Sequence, residues 1–177
     1  VPALMEEPFI SSPYMTNYFV GLGTMLNQLG YTTSFFHGAK NGTMYFDQFM
    51  KSAGVQNYYG LNEYPSSKDF DGTWGIYDHE YLPYVQQVVS NSWSSMKKPF
   101  MTAVFTLSSH NPFRIPDSFK GRFPKGTLDI HESIGYTDFA VEEFFKQAES
   151  KPWFKDTIFI ITADHTYKNS RSTFENK

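Results

Sequence analysis

At 177 residues the chain is long enough for one compact domain with a real core and short for two. Its hydrophobic content of 40% and aromatic content of 19% exclude intrinsic disorder, and a net charge of −3 lacks the broad basic field that nucleic acid binding demands. Cysteine is absent, which excludes disulfide frameworks, thiolate zinc sites and cysteine nucleophiles. No apolar run approaches the roughly 20 residues that span a bilayer, and no secretory signal is visible.

Residues 1–13, VPALMEEPFISSP, carry three prolines and read as an irregular approach segment. Residues 16–29 place Tyr18, Phe19, Leu22, Met25, Leu26 and Leu29 at helical spacing, and Gly30 supplies a C-cap. YTTSFF, residues 31–36, is β-branched and aromatic and reads as a strand ending at His37-Gly38. A short helix is predicted over residues 44–54, closed by Gly54. Residues 55–76 are rich in glycine, aromatic and turn residues and read as a long surface excursion. Residues 78–95 set Tyr81, Leu82, Val85, Val88 and Val89 at helical intervals, with Pro83 expected in the first turn. PFMTAVFTL, residues 99–107, is nearly continuous apolar chain, as in a strand covered on both faces. A loop over residues 108–130 leads to a helix over residues 131–148. TIFIIT, residues 157–162, reads as the last strand. Helix alternating with strand predicts an α/β fold, a mostly parallel sheet flanked by helices, with each crossover long enough for the parallel connection.

Ligands of open α/β sheets bind beyond the carboxyl ends of the strands. The three predicted strands end in FFHG, TLSSHNPF and ITADHT. His37, His110, Asp164 and His165, far apart in sequence, are therefore expected along one edge. A carboxylate oxygen and a neutral imidazole nitrogen both reach divalent ions at about 2.0–2.2 Å. Adjacent residues of an extended strand point to opposite faces, so Asp164 and His165 can share one ion only where the strand ends and the backbone turns. Oxygen and nitrogen donors without sulfur suit manganese, zinc or magnesium. The alternative is structural: Asp164 caps the following turn beside a partly exposed His165. For His110 the alternative is an Asn-Pro loop in which the ring only packs, and for His37 it is plain turn chemistry. His79 and His131 fall at predicted helix starts and read as surface or capping residues. Asn41-Gly42-Thr43 fits a glycosylation sequon, and Asn41 can equally shape the rim loop. The aromatic cluster Tyr58, Tyr59, Tyr64, Phe70 and Trp74 reads as satellite core in preference to a substrate wall.

Five stretches, FFHGAKNGTMYFDQF, YYGLNEYP, DGTWGIYDHEYL, FTLSSHNPF and ITADHT, resemble in order and spacing the sulfatase-like branch of the alkaline phosphatase superfamily. Within that branch the likeness is to lipoteichoic acid synthase and phosphoglycerol transferase-type enzymes, and it covers residues 16–166. It implies a metal-dependent enzyme on the extracytoplasmic face of a bacterial membrane, anchored by helices outside this chain. In such an enzyme a threonine nucleophile takes a phosphoglycerol- or phosphoethanolamine-type group from a lipid headgroup and passes it to an acceptor. By the same resemblance Asp164 and His165 are metal ligands, and His110 is the catalytic histidine that contacts the substrate phosphate. His37 and Asn41 join His110 in binding substrate at the rim. The cofactor implied is a divalent metal, manganese first, with zinc, magnesium or calcium as alternatives. The substrate implied is a phospholipid headgroup or a glycan, and no nucleic acid.

The family's glutamate ligand and threonine nucleophile are expected before Val1. Residues 1–177 are therefore expected to form the central part of a single sulfatase-like catalytic domain, inactive alone. Three positions depart from the family pattern. Ala39 stands where an acidic residue is expected, and Met44 and Phe46 stand where a tryptophan and an arginine grip phosphoglycerol. A guanidinium offers bidentate phosphate recognition that an aromatic ring cannot. Two other functions therefore stand beside headgroup transfer: hydrolysis of sulfuric or phosphoric esters, and noncatalytic binding of envelope or glycan ligands.

Overall fold

The computed structural model describes residues 3–4 and 7–167. Of the approach segment expected over residues 1–13, residues 1–2 and 5–6 lie outside the described residues. The rest forms a two-residue antiparallel pairing of Ala3–Leu4 with Glu7–Pro8, followed by two short 3₁₀ turns. Beyond it come α1 (Leu22–Gln28), β1 (Thr32–His37), α2 (Phe46–Ser52), β2 (Asn57–Tyr59), α3 (Asp78–Met96), β3 (Phe100–Phe105) and α4 (Ile130–Ala148). The strands form one parallel sheet in the order β2-β1-β3, with Phe35 opposite Tyr58 on one side and Ala103 on the other.

Strand alternation explains how the sheet is buried. Side chains of β1 project to opposite faces with a period of two. Phe36, fully buried, points to the face covered by α3 and α4, among Ile76, Tyr81, Val85, Val89 and Trp153. Phe35 points to the other face, against Phe46 and Phe49 of α2 and Ile10 of the approach segment. His37 shares the parity of Phe35. It therefore turns under α2, its ring 5.0 Å from that of Phe46 and 5.5 Å from that of Phe105.

The architecture agrees with the predicted class, and four elements differ from expectation. The first helix is only Leu22–Gln28, because Gly21 is its extended N-cap and Gly23 weakens a longer run. A Cβ on either glycine would come within 2.8 Å of Ala53 or Gly54 atoms, so both permit α1 to lie directly on the end of α2. Gly30, at φ +83, does close the helix as expected. Second, the excursion of residues 55–76 contains β2, a strand too short to show as a periodic run. Third, Pro83 is the sixth residue of α3 and not within its first turn, since the helix starts at Asp78.

The fourth difference bears on the site. TIFIIT is not a strand: among the described residues nothing pairs with residues 157–163. Phe159 turns onto Phe145 and Phe154, with ring centroids 4.9 and 5.2 Å away. Its neighbours Ile158, Ile160 and Ile161 are 89, 86 and 73% exposed. Strand propensity measures the fit of a residue to a paired, covered surface. A run apolar on both faces needs cover on both, and the described chain covers only the Phe159 side.

Candidate active site

The carboxyl edge of the sheet is where β1 and β3 hand over to loops. Beyond His37, Gly38 accepts a hydrogen bond from Ile76 N–H at 3.1 Å, and Ala39 forms an antiparallel bridge with Gly75. The strap that contains Gly75 is folded by Asp71, whose Oδ1 accepts from the backbone N–H groups of Thr73, Trp74 and Gly75. One carboxylate oxygen thereby fixes three successive residues in a tight turn. The turn delivers Trp74 to the loop after β3, where its indole N–H donates to Asn111 O at 2.5 Å and its ring lies 4.1 Å from that of His110. Arg114 donates back to Asp71 O at 3.2 Å, closing strap and loop on one another.

His110 is exposed on this rim. Its Nδ1 lies 2.8 Å from Asn111 O. A carbonyl only accepts, so Nδ1 carries the hydrogen and Nε2 is left to face outward. In the neutral ring Nε2 accepts a proton; once protonated, it donates to an anionic oxygen.

Asp164 and His165 are both exposed, and their segment reaches the same rim. Tyr167, two residues on, packs edge-on against Phe113 of the His110 loop at 5.6 Å. His165 Nδ1 donates to Thr166 O at 3.0 Å, which leaves Nε2 as the acceptor nitrogen, 3.6 Å from Asp164 Oδ2. Two acceptors that face each other at this separation repel unless a proton or a cation lies between them. Imidazole whose second nitrogen is tied to a carbonyl is also the usual arrangement of a metal-ligating histidine. The donor chemistry fits a divalent ion. Among the described residues no third histidine or carboxylate completes a metal-holding group.

His37 and Asn41 are placed differently. His37 is 1% exposed, with only a long 3.4 Å contact from Nδ1 to Tyr58 Oη, and burial pushes its pKa down to about 4. The same burial, reinforced by Asp47 and Glu63, raises Tyr58 to about 12. This neutral pair lies in the aromatic layer beneath the rim, among Phe35, Phe46 and Phe105. Asn41 donates from Nδ2 to Glu63 and accepts Asn62 N–H on Oδ1, so it shapes the loop over residues 60–63. Phe46 is buried in the same layer, while Met44 and Tyr45 stand exposed at φ 52 and 58.

The aromatic cluster divides. Tyr59 and Tyr64 pack in the core with Tyr84, and Tyr58 packs on Phe35, as satellite core. Trp74 belongs to the rim. His131 does not cap α4 but folds the turn that leads into it, its Nδ1 accepting from Thr127 and Leu128 N–H. His79 is half-buried against Tyr136 and Phe119.

Asp78, which sequence reasoning misses, is 2% exposed at the first position of α3. Its carboxylate accepts from Leu107 N–H at 3.0 Å, from Ser108 N–H at 3.3 Å and from the Thr137 hydroxyl at 2.9 Å. Burial pushes its pKa up, and these donors pull it back. The available signal was an acid at a helix start, which reads as ordinary capping.

The parallel sheet is covered by helices on both faces, with His110 in the loop that follows β3. A protein in the alkaline phosphatase superfamily from Vibrio parahaemolyticus has the same fold, with TM-score 0.73 and 22% identity over 85% of this chain and 36% of that one. The sulfatase family model matches residues 3–175, and the chain belongs to the sulfatase family. Lipoteichoic acid synthase of Staphylococcus saprophyticus is 28% identical over 155 residues, 84% of this chain and 23% of that protein. Phosphoglycerol transferase I of Salmonella choleraesuis is 25% identical over 166 residues, 84% of this chain and 20% of that protein. The chain thus spans only 20–23% of the length of these curated relatives.

Proposed function

We propose that the chain is the central part of a single catalytic domain that transfers a phosphoryl group, of phosphoglycerol or phosphoethanolamine type, between lipid headgroups or cell-surface glycans. The observation that supports this reading is the edge-on contact of Tyr167, two residues beyond His165, with Phe113 of the loop that carries His110. The names of the relatives support the substrate class. The short share of those relatives that the chain spans supports its being one part of a larger unit.

Asp164 Oδ2 and His165 Nε2 would hold the divalent cation, manganese by preference. When bound, it supplies positive charge against the ester oxygens and lowers the pKa of a coordinated hydroxyl. His110, protonated at Nε2, donates to a nonbridging oxygen of the substrate. The hydrogen bond from its Nδ1 to Asn111 O and the face of Trp74 hold the ring in place. Phosphoryl transfer asks the protein for positioning and electrostatics more than covalent help. His37 and Asn41 act from beneath and beside the rim, as supports of its shape. Work at the extracytoplasmic face of a bacterial membrane, with the anchor outside this chain, belongs to the same reading. No helix among the described residues is long and apolar enough to cross a membrane.

Asp164→Asn in the longer protein that carries this chain is expected to weaken manganese binding by at least about tenfold, since even outer-shell partners cost 10–100-fold. Metal content by elemental analysis is the check, and unchanged content would remove the ligand assignment. Manganese-dependent turnover is expected on phosphoglycerol or phosphoethanolamine donors. Hydrolysis of aryl sulfate or a phosphate monoester instead would establish the second reading. That reading is favoured by one observation: Phe46 is buried against Phe35, His37 and Phe105, and no guanidinium stands there. No turnover and no bound metal would leave a binding module.

A further inference from the structure

Asp78 is a buried carboxylate paired with no cation among the described residues. Burying a charge is costly unless strong hydrogen bonds replace water, and a neutral side chain would cap α3 at lower cost. Two features offset the cost here. Asp78 stands at the positive end of the α3 dipole, and it accepts charge-assisted bonds, roughly twice as strong as neutral ones. The partners are specific. Two of the donors are the N–H groups of Leu107 and Ser108, just beyond the end of β3, and the third is Thr137 of α4. Ser108 returns a contact, its hydroxyl oxygen accepting Asp78 N–H at 3.0 Å. Leu107 O in turn accepts the N–H of His110 at 3.0 Å, so the turn that presents His110 starts on residues gripped by Asp78.

We infer that Asp78 is a positioning residue for His110: its carboxylate locks the backbone at Leu107 and Ser108 so that the following turn holds the imidazole against Trp74. This rests on the reading of His110 as the substrate-contacting histidine. The lock itself is a statement about geometry and stands or falls separately. A carboxylate suits the task because two backbone N–H groups and a hydroxyl must be held by one small group in a dry site. The reciprocal bond from Asp78 N–H to Ser108 ties the loop to the start of α3, while Thr137 ties both to α4.

The test is NMR on the longer protein that carries this chain, read at Leu107, Ser108, His110 and Trp74. The Trp153 indole N–H, bonded to Ser90, reports on the distant core. In Asp78→Ala, amide exchange at 107 and 108 is expected to quicken at least about tenfold, the loss of one charge-assisted bond. The His110 ring protons should lose the upfield shift given by Trp74, and the Trp74 indole N–H should move to its free position. Trp153 should not change. If Asp78→Ala does not fold, Asp78→Asn, which keeps size and one acceptor, is read in the same way. Unchanged His110 and Trp74 signals in whichever variant folds would overturn the proposal, as would equal changes at Trp74 and Trp153. Turnover of the longer protein is measured apart from this: His110→Ala without effect would refute the role of His110 and leave the lock intact. If both stand, Asp78→Asn should lower kcat with little change in KM.

Discussion

His37 illustrates how little a residue's sequence position says about its surroundings. Its ring is neutral in the folded chain because burial holds its pKa near 4, against an ordinary value of 6.5. Between those two pH values the unfolded chain binds a proton at this site and the folded chain does not. Stability is therefore full above about pH 6.5 and falls as pH drops toward 4, by up to about 3 kcal/mol at 1.36 kcal/mol per pKa unit. Urea midpoints at pH 7.5 and 4.5 should differ less in His37→Gln, which cannot titrate, than in the parent chain. Equal differences in the two proteins would mean that other groups carry the pH dependence. The identity of residue 37 was plain in the sequence. Its burial was not, because it depends on what α2 places over it.

At the scale of elements, two features decide packing. Gly54, at φ +84, brings its backbone against Thr24 so closely that an added Cβ would lie 2.4 Å from Thr24 N. Gly54→Ala combines a strained backbone with a clash and should lower stability by roughly 2 kcal/mol, measured by thermal or chemical unfolding. An unchanged midpoint would show that α1 can shift without cost. The second feature is the run of residues 157–162. Because Ile160 is 86% exposed, Ile160→Thr should leave the unfolding midpoint of this chain within about 0.5 kcal/mol, as expected of surface positions. A larger loss would mean that the segment pairs in solution.

At the scale of the whole molecule, large apolar side chains among the described residues remain uncovered, and two groups stand out. Leu22, Met25 and Leu29 of α1 and its C-cap are exposed, as are Ile158, Ile160 and Ile161. The proposed site is correspondingly partial, with Asp164 and His165 proposed as metal donors and His110 proposed to contact phosphate. The 177-residue chain by itself is expected to release no product from phosphoglycerol, phosphoethanolamine or aryl sulfate donors with manganese present. Turnover by the isolated chain would show that it holds a complete site.

The residues themselves decided the class of fold and the elements β1, β3, α3 and α4, because these follow from periodicity and local propensity. TIFIIT shows the limit of that logic. Its side chains say strand, but a ladder needs a neighbour, and pairing is a property of two segments. Likewise β2 gained its strand character from β1, His37 was closed in by strand parity and α2, and Asp78 acquired its grip on the His110 loop from three elements distant in sequence. Local preference is written along the chain. Burial, pairing and convergence are set only when distant segments meet, and the tertiary structure alone decided them.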